Sequence, residues 1–332
     1  VRDGPAVFRR TTEIEWPTWA LITMIYGAWL ALTYFGTDLP WWALLPAAAF
    51  VTCWQGHLQH ELIHGHPTRN QGLNDALAFP PLSLWIPYPI YKEQHLAHHR
   101  SQTLADPLDD PESYYLPAER WASLSGVSKA LLTANNTLLG RLLLGPVLVP
   151  FGFLKSELVN AVGGTGSRAA IWGGHAAAVA VLLTWIVGVC GMPVWMYLAF
   201  FVFPGTSLLL MRSFVEHRPG ATQKERTAVV EGSWLTRLLY LNNNLHVVHH
   251  AQPKLAWYKI PAAYERNKEA IARRNGGYVF KGYAEVARRF LLTPKDMPVY
   301  APSLSSPSLS SPSLSSPSLS SPSLSSPSLS RK

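Results

Sequence analysis

Three short stretches of the chain gather histidines at spacings that suit a metal. HELIH carries His60 and His64, HLAHH carries His95, His98 and His99, and HVVHH carries His246, His249 and His250. On an α-helix, positions i, i+3 and i+4 share one face, so each stretch aims its imidazoles in one direction. Leu96 and Ala97, or Val247 and Val248, turn away. A lone histidine is most often a satisfied polar residue, and that account does not cover three clusters. Neutral imidazole binds zinc, copper, iron and nickel alike, so ligand type does not choose the metal. With His217 the clusters supply nine imidazoles, four to five for each of two ions, which leaves room for an exogenous ligand.

The elements that hold these stretches follow from the distribution of charge. Of 332 residues, 48% are hydrophobic and 14% charged, against about a quarter charged in soluble domains. Thirteen Trp and thirteen Tyr suit a protein with two membrane–water interfaces. No Lys or Arg occurs from Trp16 to Thr68, or from Ala169 to Met211. Each window is long enough for two spans of about 20 residues. GTDLP (36–40) divides the first window into spans at 17–35 and 41–57, and CGMP (190–193) divides the second into 169–189 and 194–211. The positive-inside rule then places both termini, and segments 65–168 and 212–300, in the cytoplasm. A helix starting near Pro40 reaches about 30 Å at His60, the inner edge of the hydrocarbon core. All the histidine groups therefore meet on one side of the bilayer. The predicted fold is all-α: a four-helix transmembrane bundle of two hairpins with a cytoplasmic, mainly helical cap that holds the histidines.

Other segments are punctuated. LAFPPLSLWIPYPIY (77–91) has too many prolines to span and is expected along the membrane surface. Residues 137–155 are apolar but broken by Arg141, Pro146 and Pro150, which predicts an interfacial segment. The membrane domain is expected over 1–300, followed by a disordered Pro-Ser-Leu repeat tail over 301–332. Cys53 and Cys190 lie at opposite ends of their spans and cannot pair. No cleavable signal sequence is expected, because the first apolar stretch has full span length. His57 and His66 flank the first cluster and read as supporting residues, and His175 as a histidine hydrogen-bonded within the bundle. DPLDDPE (106–112) either orients imidazoles by accepting their second N–H or forms a solvated turn.

Two other chemistries fit parts of this pattern. HELIH is also an HExxH string, the zinc protease motif with Glu61 as general base. A catalytic zinc takes three protein ligands, which would leave the second and third clusters idle. A histidine-lined metal transporter needs ligands deep within the spans, and only His175 is so placed.

HELIH, HLAHH and HVVHH, set around two hairpins, resemble the three histidine boxes of the integral-membrane fatty acid desaturase superfamily. The resemblance covers about 16–295, and HELIHGHPTRN and NNNLHVVHHAQP look most like bacterial fatty acid desaturases. It implies a di-iron centre with His60, His64, His95, His98, His99, His217, His246, His249 and His250 as ligands. Some relatives add an asparagine that holds an iron through water. Ser213 occupies that place here, so the role is either absent or met elsewhere, with Asn243 or Asn244 as candidates. The implied reaction is dioxygen-dependent insertion of a double bond into a fatty acyl lipid or acyl-carrier substrate. EHRPG (216–220) looks ketolase-like, so a carotenoid ketolase or hydroxylase, or another lipid hydroxylase, is the rival within the superfamily. Electrons are expected from a separate ferredoxin-like or cytochrome-type donor, since the chain has no HPGG and no cysteine cluster. Arg273, Arg274, Arg288 and Arg289 offer that donor a basic face, or simply express the positive-inside bias. Membrane lipid is an expected partner and nucleic acid is not. The expected location is a bacterial inner membrane, crossed several times, with the metal site on the cytoplasmic side.

Overall fold

The computed structural model describes residues 14–161 and 166–301. The basic lead before Ile14 and the repeat tail from Pro302 lie outside the described residues. α1 (Trp16–Tyr34) and α2 (Trp41–Ile63) form the first hairpin. Pro17 stands in the first turn of α1, where a missing N–H breaks no helical bond. The buried residues of α1, from Thr18 through Leu21, Ile25 and Trp29 to Thr33, recur every three or four positions. This stripe packs inward, while Met24, Leu30 and Tyr34 stay exposed.

The second hairpin is α9 (Gly166–Leu183), then α10 (Val194–Tyr197) and α11 (Phe203–Glu216), with π-helical turns over 184–189 and 198–202. Among the described residues, two helical stretches are both long and apolar enough to cross a membrane, Gly166–Val189 and Val194–Glu216. They contain the predicted third and fourth spans. α1 and α2 have the length but fall short in hydropathy. Trp16, Trp19, Tyr26 and Tyr34 dilute α1, and Gln55, His57, Gln59 and His60 dilute the inner half of α2. Length and hydropathy alone thus do not establish a four-span bundle.

α2 and α11 pack closely because glycine lets their backbones approach. A Cβ on Gly205 would stand 2.6 Å from Thr52 Cβ, and one on Gly56 would stand 2.9 Å from Leu209. This contact sets the histidine-bearing end of α2 beside the end of α11 that leads into His217.

The proline-rich segment after α3 (Gln71–Ala78) is tucked against the helices. Its carbonyls and those of the last turn of α3 are taken up by side chains: Tyr26 donates to Leu77 O (2.5 Å), Gln59 to Ala78 O (2.8 Å) and Gln55 to Pro80 O (2.9 Å). Tyr197 donates to Leu82 O (2.7 Å) and His175 to Leu84 O (2.8 Å). Irregular backbone packed against helices is tolerable only when its polar groups are satisfied this way. His175 is therefore a structural donor inside the bundle, as its isolation among small residues suggests.

The cap begins with α4 (Tyr88–Arg100), and α5 (Ala118–Ala122), α6 (Gly126–Asn135), α7 (Leu138–Leu143) and α8 (Gly145–Ala161) follow. α8 turns Val147, Phe151, Leu154 and Leu158 outward in one stripe. After α11 come α12 (Trp234–Leu239), α13 (His246–Ala251), α14 (Ile260–Arg274) and α15 (Tyr283–Phe290). A short parallel pair, β1 (Val229–Val230) with β2 (Val279–Phe280), joins them.

Gly205→Val should drive a side chain into Thr52, and overpacking of this kind costs about 1–3 kcal/mol. The expected outcome is a lower thermal midpoint in detergent, together with reduced metal content, because the displaced helices carry His60, His64 and the approach to His217. An unchanged midpoint would refute the close contact.

Candidate metal centre

α2, α4 and α13 bring the three clusters face to face beneath the end of α11. His60, His64, His95, His99 and His249 form one group able to hold a metal ion, and His98, His217, His246 and His250 form a second. Within each group the ligand atoms lie within 4.8 Å of one another. Helix geometry explains the division. His95 and His99, four apart on α4, enter the first group, while His98 points to the second. On α13 the pattern is reversed: His246 and His250 serve the second group and His249 the first. The two groups abut, with the rings of His99 and His250 stacked at 4.6 Å.

Hydrogen bonds behind the rings fix which nitrogen faces inward. His98 Nδ1 lies 2.7 Å from Asp110, His95 Nδ1 2.9 Å from Glu112 and His246 Nδ1 2.9 Å from Asn243 Oδ1. Each partner atom only accepts, so each of these Nδ1 atoms carries its proton and donates it. The corresponding Nε2 atoms therefore present lone pairs. They nonetheless crowd together: His95 Nε2 is 2.9 Å from His64 Nε2 and 3.1 Å from His99 Nε2. His246 Nε2 is 3.1 Å from both His217 Nε2 and His250 Nε2. Two nitrogens about 2.1 Å from one ion and at right angles stand about 3.0 Å apart. The spacing, the donor type and the inward lone pairs all fit bound metal ions.

Burial keeps most of the cluster neutral, as metal binding requires. Desolvation, reinforced by neighbouring imidazoles, holds His246, His249 and His250 well below the usual histidine range and brings His99 down to about 3. His98 differs: burial pulls it down, but the Glu112 and Asp110 carboxylates more than offset that and leave it raised.

The DPLDDPE segment thus orients imidazoles through Asp110 and Glu112, while Asp109 takes Ser101 and Thr103 to close its own turn. The three asparagines have separate tasks. Asn242, with φ of 59°, donates to Trp257 O (3.0 Å) and shapes the turn into α13. Asn243 touches a ligand of each group, His246 through Oδ1 and His60 Nε2 through Nδ2 at 3.2 Å. Asn244 commits its Nδ2 to Val230 O at 2.6 Å, which ties the turn to β1.

The flanking histidines stand behind the site. His57 packs edge-on against Tyr240 and His66 meets Glu15 at 2.8 Å. Glu61 lies outside both groups and accepts the Trp257 N–H at 3.2 Å. Sequence reasoning did not find Glu216, whose carboxylate lies 3.3 Å from His246 Nδ1 and pairs with Arg212. Charges four apart at the end of an apolar helix give no distinguishing signal. A cavity of about 570 Å³ opens on the cap side beside His99 and His250, with Lys224 and Arg274 in its lining.

The fatty acid desaturase sequence model matches residues 39–282, a range that contains all nine histidines. The chain belongs to the fatty acid desaturase family. No curated protein is matched by the chain. Family membership makes this an oxidoreductase of the membrane-associated desaturase and hydroxylase type, with a histidine cluster suited to metal at its centre.

Asn243→Leu removes a support from each group and should weaken metal binding by about 10- to 100-fold, the usual effect of losing an outer-shell partner. Asn244→Leu should leave metal affinity unchanged and cost about 1 kcal/mol of stability by removing one of the two hydrogen bonds to the Val230 carbonyl, which keeps the Gly232 N–H. Chelator competition and thermal unfolding on the two variants separate these effects.

Proposed function

We propose that the protein is a membrane-bound, dioxygen-dependent desaturase of fatty acyl chains, with two irons held by the nine imidazoles and electrons from a separate donor. The observation that carries this reading is the division of the histidines into adjoining groups of five and four in a chain of this family. Overall, adjacent methylenes lose two hydrogens; dioxygen, two electrons and two protons complete the balance, giving one double bond and two waters. A bound pair of reducible irons supplies the dioxygen chemistry. The protein's own contribution is positional. Asp110, Glu112 and Asn243 hold Nδ1 protons so that ring orientation survives turnover. Burial of the cluster keeps bulk water from the reacting carbons. The loop pinned at 77–84 forms a fixed wall on the membrane side, and the depth of the acyl chain against it would set the position of the double bond.

Four membrane spans suit this reading best. α1 and α2 have 19 and 23 residues, about 28 and 34 Å of helix. Apart from Thr23, their exposed residues are apolar or aromatic, and neither helix carries Lys or Arg. The histidines then lie at the cytoplasmic edge, with both termini on that side. The cavity beside His99 and His250 would offer a donor an approach to the site, and its lining holds cations and no carboxylate among the described residues.

Expression in a desaturase-deficient host, followed by lipid profiling, tests the proposal. A new unsaturated acyl chain is expected, falling to background in both His64→Ala and His217→Ala. A modified carotenoid instead would reassign the chain to the ketolase and hydroxylase relatives. Unaltered lipids with a well-folded, iron-loaded protein would reject the desaturase reading.

A further inference from the structure

The nine histidines are not held equally well. His95 and His98 rest on carboxylates at 2.9 and 2.7 Å. His217 has only a longer Nδ1 contact, 3.3 Å to the carbonyl of Arg226. It also stands just past the end of α11 in extended backbone, φ −126° and ψ 148°, so no helix fixes it. Its position depends on what grips its main chain. One grip is the isolated antiparallel bridge to Thr227. The other comes from far along the sequence: Lys295 Nζ donates to the His217 carbonyl at 2.9 Å.

Lys295 is itself secured. Its side chain is 7% exposed, its ammonium lies 3.1 Å from Tyr115 Oη and 3.4 Å from Asp296, and its own N–H donates to Asn136 O at 2.8 Å. Asp296 in turn accepts from Tyr115 (2.5 Å) and Asn136 (2.6 Å). The segment around it is strapped down by Leu139 N–H to Leu291 O and by a bridge between Leu116 and Val299. A lysine is rarely enclosed unless paired, and this one spends its third direction on a ligand's backbone. The family match ends at residue 282, before the strap begins.

We propose that Lys295 is a positioning residue: the 291–300 strap uses it to clamp the backbone of His217 and so to complete the second group, with His98, His246 and His250. The proposal rests on the two-metal reading above. Its consequence is selective: among the described residues the strap's hydrogen bonds reach His217 and none reaches a histidine of the first group directly.

Chelator-driven metal release from the purified full chain tests this, with Lys295→Met, His217→Ala and the double variant compared with the parent. Loss of an outer support lowers metal affinity by about 10- to 100-fold, and here only one of two release phases should quicken. In the His217→Ala background, Lys295→Met should add nothing, since both changes act on one ligand. Unchanged release in Lys295→Met, equal quickening of both phases, or an undiminished effect without His217 would each overturn the clamp. If Lys295→Met does not accumulate, Asp296→Asn loosens the same lysine and should quicken the same phase; normal release there overturns it too. A parent chain without metal overturns the two-metal reading along with the clamp, whereas a two-metal parent indifferent to Lys295 overturns the clamp alone.

Discussion

Imidazole nitrogens turned toward one another at about 3 Å are the constraint on which this structure depends. His95, His98 and His246 donate their Nδ1 protons outward to Glu112, Asp110 and Asn243. Their Nε2 atoms are left facing other ring nitrogens at 2.9–3.3 Å. Where both nitrogens face as lone pairs, as in His246 and His217, the arrangement is unfavourable in an empty pocket and favourable around a cation, where each lone pair becomes a bond. The fold can therefore be read as scaffolding that brings neutral imidazoles together in the geometry of bound ions.

That scaffolding has three layers. Close packing of α2 on α11 through Gly56 and Gly205 sets where His60, His64 and His217 emerge. α4 and α13 lie between the two groups and contribute to both, so a shift of either helix would disturb both groups together. Behind the rings, Asp110, Glu112 and Asn243 set orientation, and residues of the cap hold those supports in turn. Side chains of α1, α2, α9 and α10 pin the end of α3 and the proline-rich segment after it by their carbonyls.

Much of the centre was legible because its geometry is local. His95 with His99, and His246 with His250, are related by helical spacing, whereas the placement of His98 and His249 in the opposite groups comes only from the fold. The second hairpin was legible because 169–189 and 194–211 are apolar throughout, whereas the first carries aromatic and polar side chains whose purpose lies elsewhere in the fold. Gln55 and Gln59 look like flaws in a span until Pro80 and Ala78 stand against them. The asparagines were opaque for the same reason: Asn242 answers to Trp257 and Asn244 to Val230, partners that spacing cannot reveal. Asp110 and Glu112 were ambiguous because an acidic, proline-flanked run also suits a plain solvated turn. Lys295 gave no signal at all, being 78 residues from the carbonyl it holds.

The central claim is that two adjacent ions occupy the histidine groups and that they are iron. Elemental analysis of the full chain, purified from its membrane after growth with iron and zinc both available, tests it most directly. The account predicts two irons per chain, one for each histidine group, with the count falling when either group loses a ligand. A single zinc, retained when His98, His217, His246 or His250 is removed, would contradict it.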